Sequence, residues 1–425
     1  MHNKYTKRKA VISMGFNTSL LHSDRPSSDT FGSTLPPVYQ VSAFACDSAE
    51  QLEKVFNNRA AGFTYTRAGN PTVEAFEKRI AALEGGISAA ACSSGMAAIT
   101  VTLMTLLSAG DEVIVSSGLF GGTLDLFADL KAFGITARFL DSVTYETVSS
   151  AVTERTKAVF TELIGNPKLD VADIAEVSRA CKEHGIPLII DSTTATPYLI
   201  NPLKHGADIV IHSSSKYING GGNSISGVVI DGGSFKWSRE KYPRFSDFVK
   251  FGPFAFTARL RNRLWRNMGC CLSPFNAYMN LVGVGTLGLR MERCCENARA
   301  LAEYLSGFEG LTVNYPGLPA SPYYGLVQKQ LGGKGGAIVT VRAGSKEKAF
   351  RLINSLKYAS IATNIGDVRT LVIHPASTIY THSSEEQRVS AGVYDDTIRI
   401  SVGIEDKEDL IADFGQAVRS LGEDR

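Results

Sequence analysis

The chain has 425 residues, 44% hydrophobic and 20% charged, a composition that excludes a disordered or fibrous protein and leaves room for two or three domains or subdomains. Lys and Arg number 44 against 42 Asp and Glu, a net charge of +2, so no charge excess points to nucleic acid or an anionic membrane as partner.

Residues 1–61 are irregular, rich in Ser, Thr and Pro between 25 and 37, and read as an extended N-terminal arm. From residue 72 the pattern alternates helix with strand. Val73, Phe76, Ile80 and Leu83 form an apolar stripe at helical spacing that stops at Gly85 and Gly86. A strand of small residues at 89–92 runs through Ser93-Ser-Gly-Met96 into a second helix ending near residue 107. Further apolar runs at 112–115, 137–140, 158–163, 187–190, 209–211 and 228–230 are mostly separated by helical stretches such as 171–184. Strands spaced by helices imply a mostly parallel α/β sheet buried on both faces, with ligands at the carboxyl ends of its strands. After about residue 256 the texture changes to one long helical region, 274–306, and then a smaller alternating region with strands near 337–341 and 397–402. The expected division is therefore an arm, a large domain at 62–256 and a smaller C-terminal α/β domain at 257–425.

The seven cysteines, two pairs of them adjacent, lack a CxxC spacing. They read as reduced, mostly buried thiols, neither a disulfide framework nor a zinc site, so no metal is expected. No apolar run reaches the roughly 18 residues of a membrane span, and the basic stretch 1–10 leads into no secretory apolar region. The cytoplasm is the expected location.

Lys216 follows an apolar strand within Ser213-Ser-Ser-Lys-Tyr217, and Asp191 closes the preceding strand. Such a set suits pyridoxal 5'-phosphate (PLP): the amine forms the Schiff base, Ser213 and Ser215 take phosphate oxygens, and Asp191 keeps the pyridine nitrogen protonated. Ser94-Gly95-Met96 opens a helix, whose free N–H groups favour an anion, so two loops can converge on one phosphate. Arg399 alternates with Ile398, Ile400 and Val402, sharing a strand face with small polar residues, and its guanidinium fork suits a carboxylate. Two motifs carry no such weight. Gly283-Val-Gly-Thr-Leu-Gly288 matches GxGxxG inside a helical pattern with no strand before it, and the glycine-rich 332–336 lacks Walker spacing.

From about Thr34 to Gln416 the chain resembles the Cys/Met-metabolism PLP-dependent family of cystathionine γ-synthase, methionine γ-lyase and O-acetylhomoserine sulfhydrylase. The resemblance rests on Tyr65-Thr-Arg-Ala-Gly-Asn-Pro-Thr72, Ser93-Ser-Gly-Met96, Gly165-Asn-Pro167, Asp191-Ser-Thr-Thr-Ala-Thr-Pro197, His212 to Tyr217, Ser273-Pro-Phe-Asn276, His374-Pro-Ala-Ser-Thr378 and Ile398-Arg-Ile-Ser-Val-Gly-Ile-Glu405. It implies the aminotransferase-like fold of type I, with Lys216 as the Schiff-base lysine and Asp191 at the pyridine nitrogen. It also implies Gly95, Met96, Ser213 and Ser215 at the phosphate, joined by Tyr65 and Arg67 from a neighbouring subunit, with Tyr65 near the substrate as well. Asn166 would stand by the ring hydroxyl, and Arg399 with the Asn364 backbone would take the substrate α-carboxylate. A shared site makes a homodimer the smallest active unit and a tetramer the usual assembly.

Phe120 stands where the family usually has a cofactor-stacking tyrosine whose hydroxyl moves protons. Phenylalanine keeps the stacking and loses the proton. Acetate, with a conjugate acid near pKa 4, leaves without an acid, whereas a thiolate near about 8.5 benefits from one. Gly122, replacing the cysteine of methionine γ-lyases, and the stretch Asn364-Ile-Gly-Asp367 look most like O-acetylhomoserine sulfhydrylases. Met96, Gly221 and Ser192 depart from that pattern, and they leave the sulfur donor open among sulfide, a thiol and a sulfur-carrier protein. The expected reaction is replacement of acetate by sulfide to give homocysteine, for methionine biosynthesis. A γ-lyase or cystathionine γ-synthase is the alternative, and a non-catalytic binding protein a remote one.

Overall fold

The computed structural model describes residues 14–23, 31–57 and 59–422. The basic stretch at 1–10, and residues 25–30 of the arm, lie outside the described residues. The rest of the arm is not wholly extended, since it contains α1 (Phe16–His22) and α2 (Ala49–Phe56). The sequence signal for α2 was present: the Ser48 side chain accepts from Gln51 N–H, and Gln51 Oε1 accepts from Asp47 N–H at 2.9 Å.

The large sheet contains β1 (Ser88–Cys92), β2 (Glu112–Ser116), β3 (Thr136–Leu140), β4 (Thr156–Glu162), β5 (Leu188–Asp191), β6 (Ile209–His212) and β7 (Gly227–Asp231). Their order is β1-β7-β6-β5-β4-β2-β3. The run from β6 to β3 is parallel, and β7 is antiparallel to both β1 and β6. Alternation along the strands sends side chains to opposite faces. Ile114, Val159, Ile190, Val210 and Val228 pack on one face, while Val113, Phe160, Ile189, Ile211 and Val229 pack on the other. Both faces are buried, as the near-continuous apolar runs require.

Helices α3 (Pro71–Glu84) and α4 (Gly95–Leu106) flank this sheet. In α3 the Asn70 side chain accepts from Thr72 N–H, Pro71 takes the first turn, and Gly85 at φ 76° ends the helix in the left-handed conformation. Helices α5 (Gly121–Leu130), α6 (Tyr145–Ala151) and α7 (Ile174–Glu183) complete the crossovers near the site. Helix α7 starts later than the 171–184 pattern, because Asp173 caps it by accepting from Glu176 N–H.

The expected boundary at 256/257 falls inside the helix Ala255–Leu260, and Leu260 and Trp265 pack with Phe256 in the large-sheet core. The long helical region expected at 274–306 is present as two helices, Pro274–Val284 and Leu287–Leu305. The GxGxxG match thus spans a helix break, not a helix interior. Glycines stand on either side of the break where other parts of the chain come close: a Cβ at Gly283 would lie 2.2 Å from the Asn219 carbonyl oxygen, and one at Gly288 2.0 Å from Asn17 Oδ1. The second sheet, β8 (Thr312–Asn314), β9 (Ile338–Arg342), β10 (Ser360–Ile361), β11 (Leu371–Ile373) and β12 (Thr397–Ser401), has the order β10-β11-β12-β9-β8. Ile398, Ile400 and Val402 pack into its core, which turns Arg399 the other way, toward the large domain.

Candidate functional site

A cavity of about 300 Å³ lies at the carboxyl ends of the parallel strands. Lys216, Asp191, Asn166, Phe120 and Arg399 line it, together with both loops expected to meet an anion.

Lys216 Nζ donates to Asn364 Oδ1 at 2.5 Å. Burial, and then the Arg399 charge, pull its amine down to about 8. Asp191 ends β5, and its Oδ1 accepts from Thr193 N–H at 2.9 Å. Burial raises its carboxyl, and no described cation forms an ion pair with it. A carboxylate so placed can hold a cationic N–H.

Ser94 caps α4 by accepting from Ala97 N–H at 3.0 Å, and Ala98 N–H goes to the Ser94 carbonyl. The first amides, Gly95 and Met96, are therefore left to face the cavity. A Cβ at Gly95 would sit 2.6 Å from Ser213 Cβ and 2.7 Å from its Oγ. Only glycine brings the helix start this close to the β6 loop. Ser215 also lines the cavity, but its hydroxyl donates to Ser226 O at 2.9 Å and accepts from Ser226 N–H at 2.8 Å.

Arg399 is 1% exposed. Its Nη1 donates to Asn166 Oδ1 at 3.3 Å, and its Nη2 to the carbonyls of Thr363 and Asn364 at 3.2 and 3.0 Å. Its Nε is buried without a partner among the described residues, and burial pulls the guanidinium down to about 10. A buried cation with a free donor and no acidic partner can receive a carboxylate.

The sequence reading missed Glu162. It ends β4 beside Asp191 on β5, and its Oε1 and Oε2 accept from Phe120 N–H at 2.7 Å and Asn166 N–H at 3.0 Å. Burial, and then the Asp191 charge, push its carboxyl up. Its signal was the one that marked Asp191, an acid at the end of an apolar strand. Thr193 was missed as well; its Oγ1 accepts from Ser213 N–H at 2.8 Å and ties the two strand ends together.

Tyr65 and Arg67 do not line the cavity of their own chain. Tyr65 is 46% exposed on a separate depression, where Arg67 lies 5.5 Å from its ring centroid and donates to the Arg266 carbonyl at 2.9 Å.

The profile of the Cys/Met metabolism PLP-dependent enzyme family matches residues 17–419. The chain is 42% identical to an O-acetyl-L-homoserine sulfhydrylase of Corynebacterium glutamicum, over 94% of its own length and 96% of the relative's. It is 40% identical to an O-acetyl-L-homoserine sulfhydrylase of Leptospira meyeri, over 95% and 96% of the two chains. A crystal structure from Campylobacter jejuni, assigned as an O-acetylhomoserine (thiol)-lyase and carrying N'-pyridoxyl-lysine-5'-monophosphate, superposes with a TM-score of 0.92 at 34% identity. That match covers 96% of this chain and 100% of the other.

Proposed function

We infer that this chain, which belongs to the Cys/Met metabolism PLP-dependent enzyme family, replaces the acetate of O-acetyl-L-homoserine with sulfide and releases L-homocysteine. PLP is the cofactor of that family, and the residues present fit it. Gly95 leaves a cradle against Ser213 that a Cβ would fill, Asp191 is a buried carboxylate without an ion pair, and the Arg399 Nε is an orphaned donor.

When bound, PLP supplies an electron sink that makes the Cα and Cβ protons of the amino acid labile. The Gly95 and Met96 amides and Ser213 hold its phosphate, and Ser215 joins them by turning its hydroxyl from Ser226. Asp191 holds the pyridine N–H, and Asn166 faces the ring hydroxyl. Arg399, fixed by the Thr363 and Asn364 carbonyls, takes the substrate α-carboxylate. Lys216, an amine that gives up its proton far more readily than an ordinary lysine, removes the Cα proton and then a Cβ proton. After acetate has left Cγ and sulfide has added, it returns one proton to Cβ and one to Cα.

One observation carries the choice of substrate. The stacking ring of the cavity, Phe120, carries no hydroxyl, and this chain's own described lining offers no tyrosine, histidine or cysteine in its place; a phenol could come only from Tyr65 of a neighbouring copy. A leaving group near pKa 4 departs without a donor, and one near about 8.5 is disfavoured. Tyr65 and Arg67 are assigned to the site of a neighbouring copy. The arm supports this, since it exposes Leu35, Val38, Tyr39 and Val41 as apolar surface suited to a homodimer, with a tetramer as the larger assembly. No described helix is long and apolar enough to cross a membrane, and a cytoplasmic location is part of this reading.

The test is an assay of purified protein with O-acetyl-, O-succinyl- and O-phosphohomoserine, with and without sulfide. Sulfide-dependent homocysteine, formed fastest from the O-acetyl ester, is expected. Formation of 2-oxobutyrate and ammonia from methionine or cystathionine, without homocysteine from any ester, would overturn the reading.

A further inference from the structure

Glu162 lines the same cavity and forms no ion pair among the described residues. It stands at the last position of β4, in register with Asp191 on the neighbouring parallel strand, so both side chains leave the sheet on the same face. The acids Asp191 and Asp170 and the phenol of Tyr380 stand around it, while Lys216 and Arg399 line the same cavity without forming an ion pair with it among the described residues. A half-buried carboxylate beside a second carboxylate is costly, and two acceptor contacts offset part of that cost.

Those contacts join two separate loops. Oε1 takes the amide of Phe120, which follows β2, and Oε2 takes the amide of Asn166, which follows β4. Both side chains face the cavity, and Asn166 also receives Arg399 Nη1. One carboxylate therefore sets the position of the stacking ring, the group beside the ring hydroxyl, and one arm of the guanidinium fork.

We propose that Glu162 is a positioning residue that pins the backbones of Phe120 and Asn166, and so fixes how the cofactor ring is gripped from two sides. The inference rests on the PLP reading of the site. A carboxamide is nearly the same size but offers one acceptor and one donor, so in Glu162→Gln one of the two amides meets an N–H group. In Glu162→Asp the two acceptors remain but sit one methylene short.

The experiment compares wild type, Glu162→Gln and Glu162→Asp as PLP-loaded enzymes. Visible circular dichroism of the bound cofactor is read without substrate, followed by kcat, KM, cofactor content and melting temperature. For Glu162→Gln the expected result is wild-type cofactor content, an altered visible dichroic band, and kcat lowered roughly tenfold or more with KM moving less. Glu162→Asp should recover part of the band and of kcat. Unchanged dichroism and kcat in Glu162→Gln would overturn the proposal, as would a kcat that falls only in step with lost cofactor or lost folded protein. Because the dichroic comparison needs no substrate, a wild type that makes no homocysteine would sink the substrate assignment without touching this result.

Discussion

Lys216 is the residue on which the chemistry turns, and its surroundings prepare it. The cavity excludes enough water, and Arg399 stands close enough, to bring its amine down to about 8 from 10.5. At pH 8 about half of the amine is then neutral, where an ordinary lysine would be under 1% neutral. Raising the pH removes the proton, and only the neutral amine attacks the cofactor aldehyde. PLP loading of apoprotein, followed by visible absorbance, should therefore speed up to about pH 8 and level off above it; a rate still climbing beyond pH 10 would mean an unperturbed lysine. Lys216, Asp191 and Arg399 were legible in the sequence because each is a charge attached to an apolar strand. Glu162 carries the same mark in the sequence, an acid closing an apolar strand. The Asn364 side chain gave no such signal. It reaches Lys216 from a loop of the smaller domain, 148 residues along the chain, and nothing local to either residue encodes that approach.

Elements bring these residues together through their ends. The start of α4 meets the loop after β6 only because position 95 lacks a side chain. Gly95→Ala would drive a methyl to 2.6 Å from Ser213 Cβ. Overpacking of this kind costs about 1–3 kcal/mol, and if the phosphate loops bear it, PLP affinity should fall roughly 5- to 150-fold. Equilibrium dialysis with the folded variant checks this, and an unchanged affinity would place the phosphate elsewhere. The helices around the site were readable from their caps, Asn70 and Gly85 for α3 and Ser94 for α4. The break at residues 285 and 286 was not, because the apolar pattern runs through it. Helix α1 was hidden by the composition of the arm around it, whereas α2 carried the signal of its Ser48 cap.

At the scale of the whole molecule, alternation of strand and helix gave the sheet type but not its order. The placement of β7 between β1 and β6 is a long-range pairing that no local pattern specifies. Tyr65 and Arg67 lie on a different surface from Lys216, so on the proposed reading a second chain brings them to the site. The reading of the enzyme as a γ-replacement catalyst built across two chains joins every residue assigned above, and mixing two inactive variants tests it directly. Lys216→Ala lacks the amine, and should lose turnover by roughly 10³-fold while keeping the cofactor by its phosphate. Arg67→Ala lacks the contribution to its neighbour's phosphate. A dimer with one chain of each holds one intact site, with Lys216 from the Arg67→Ala chain and Arg67 from the Lys216→Ala chain. After the two variants are unfolded and refolded together, homocysteine formation from O-acetyl-L-homoserine and sulfide should rise well above either parent; a rate no higher than the parents', from a sample shown to contain mixed dimers, would contradict the shared site.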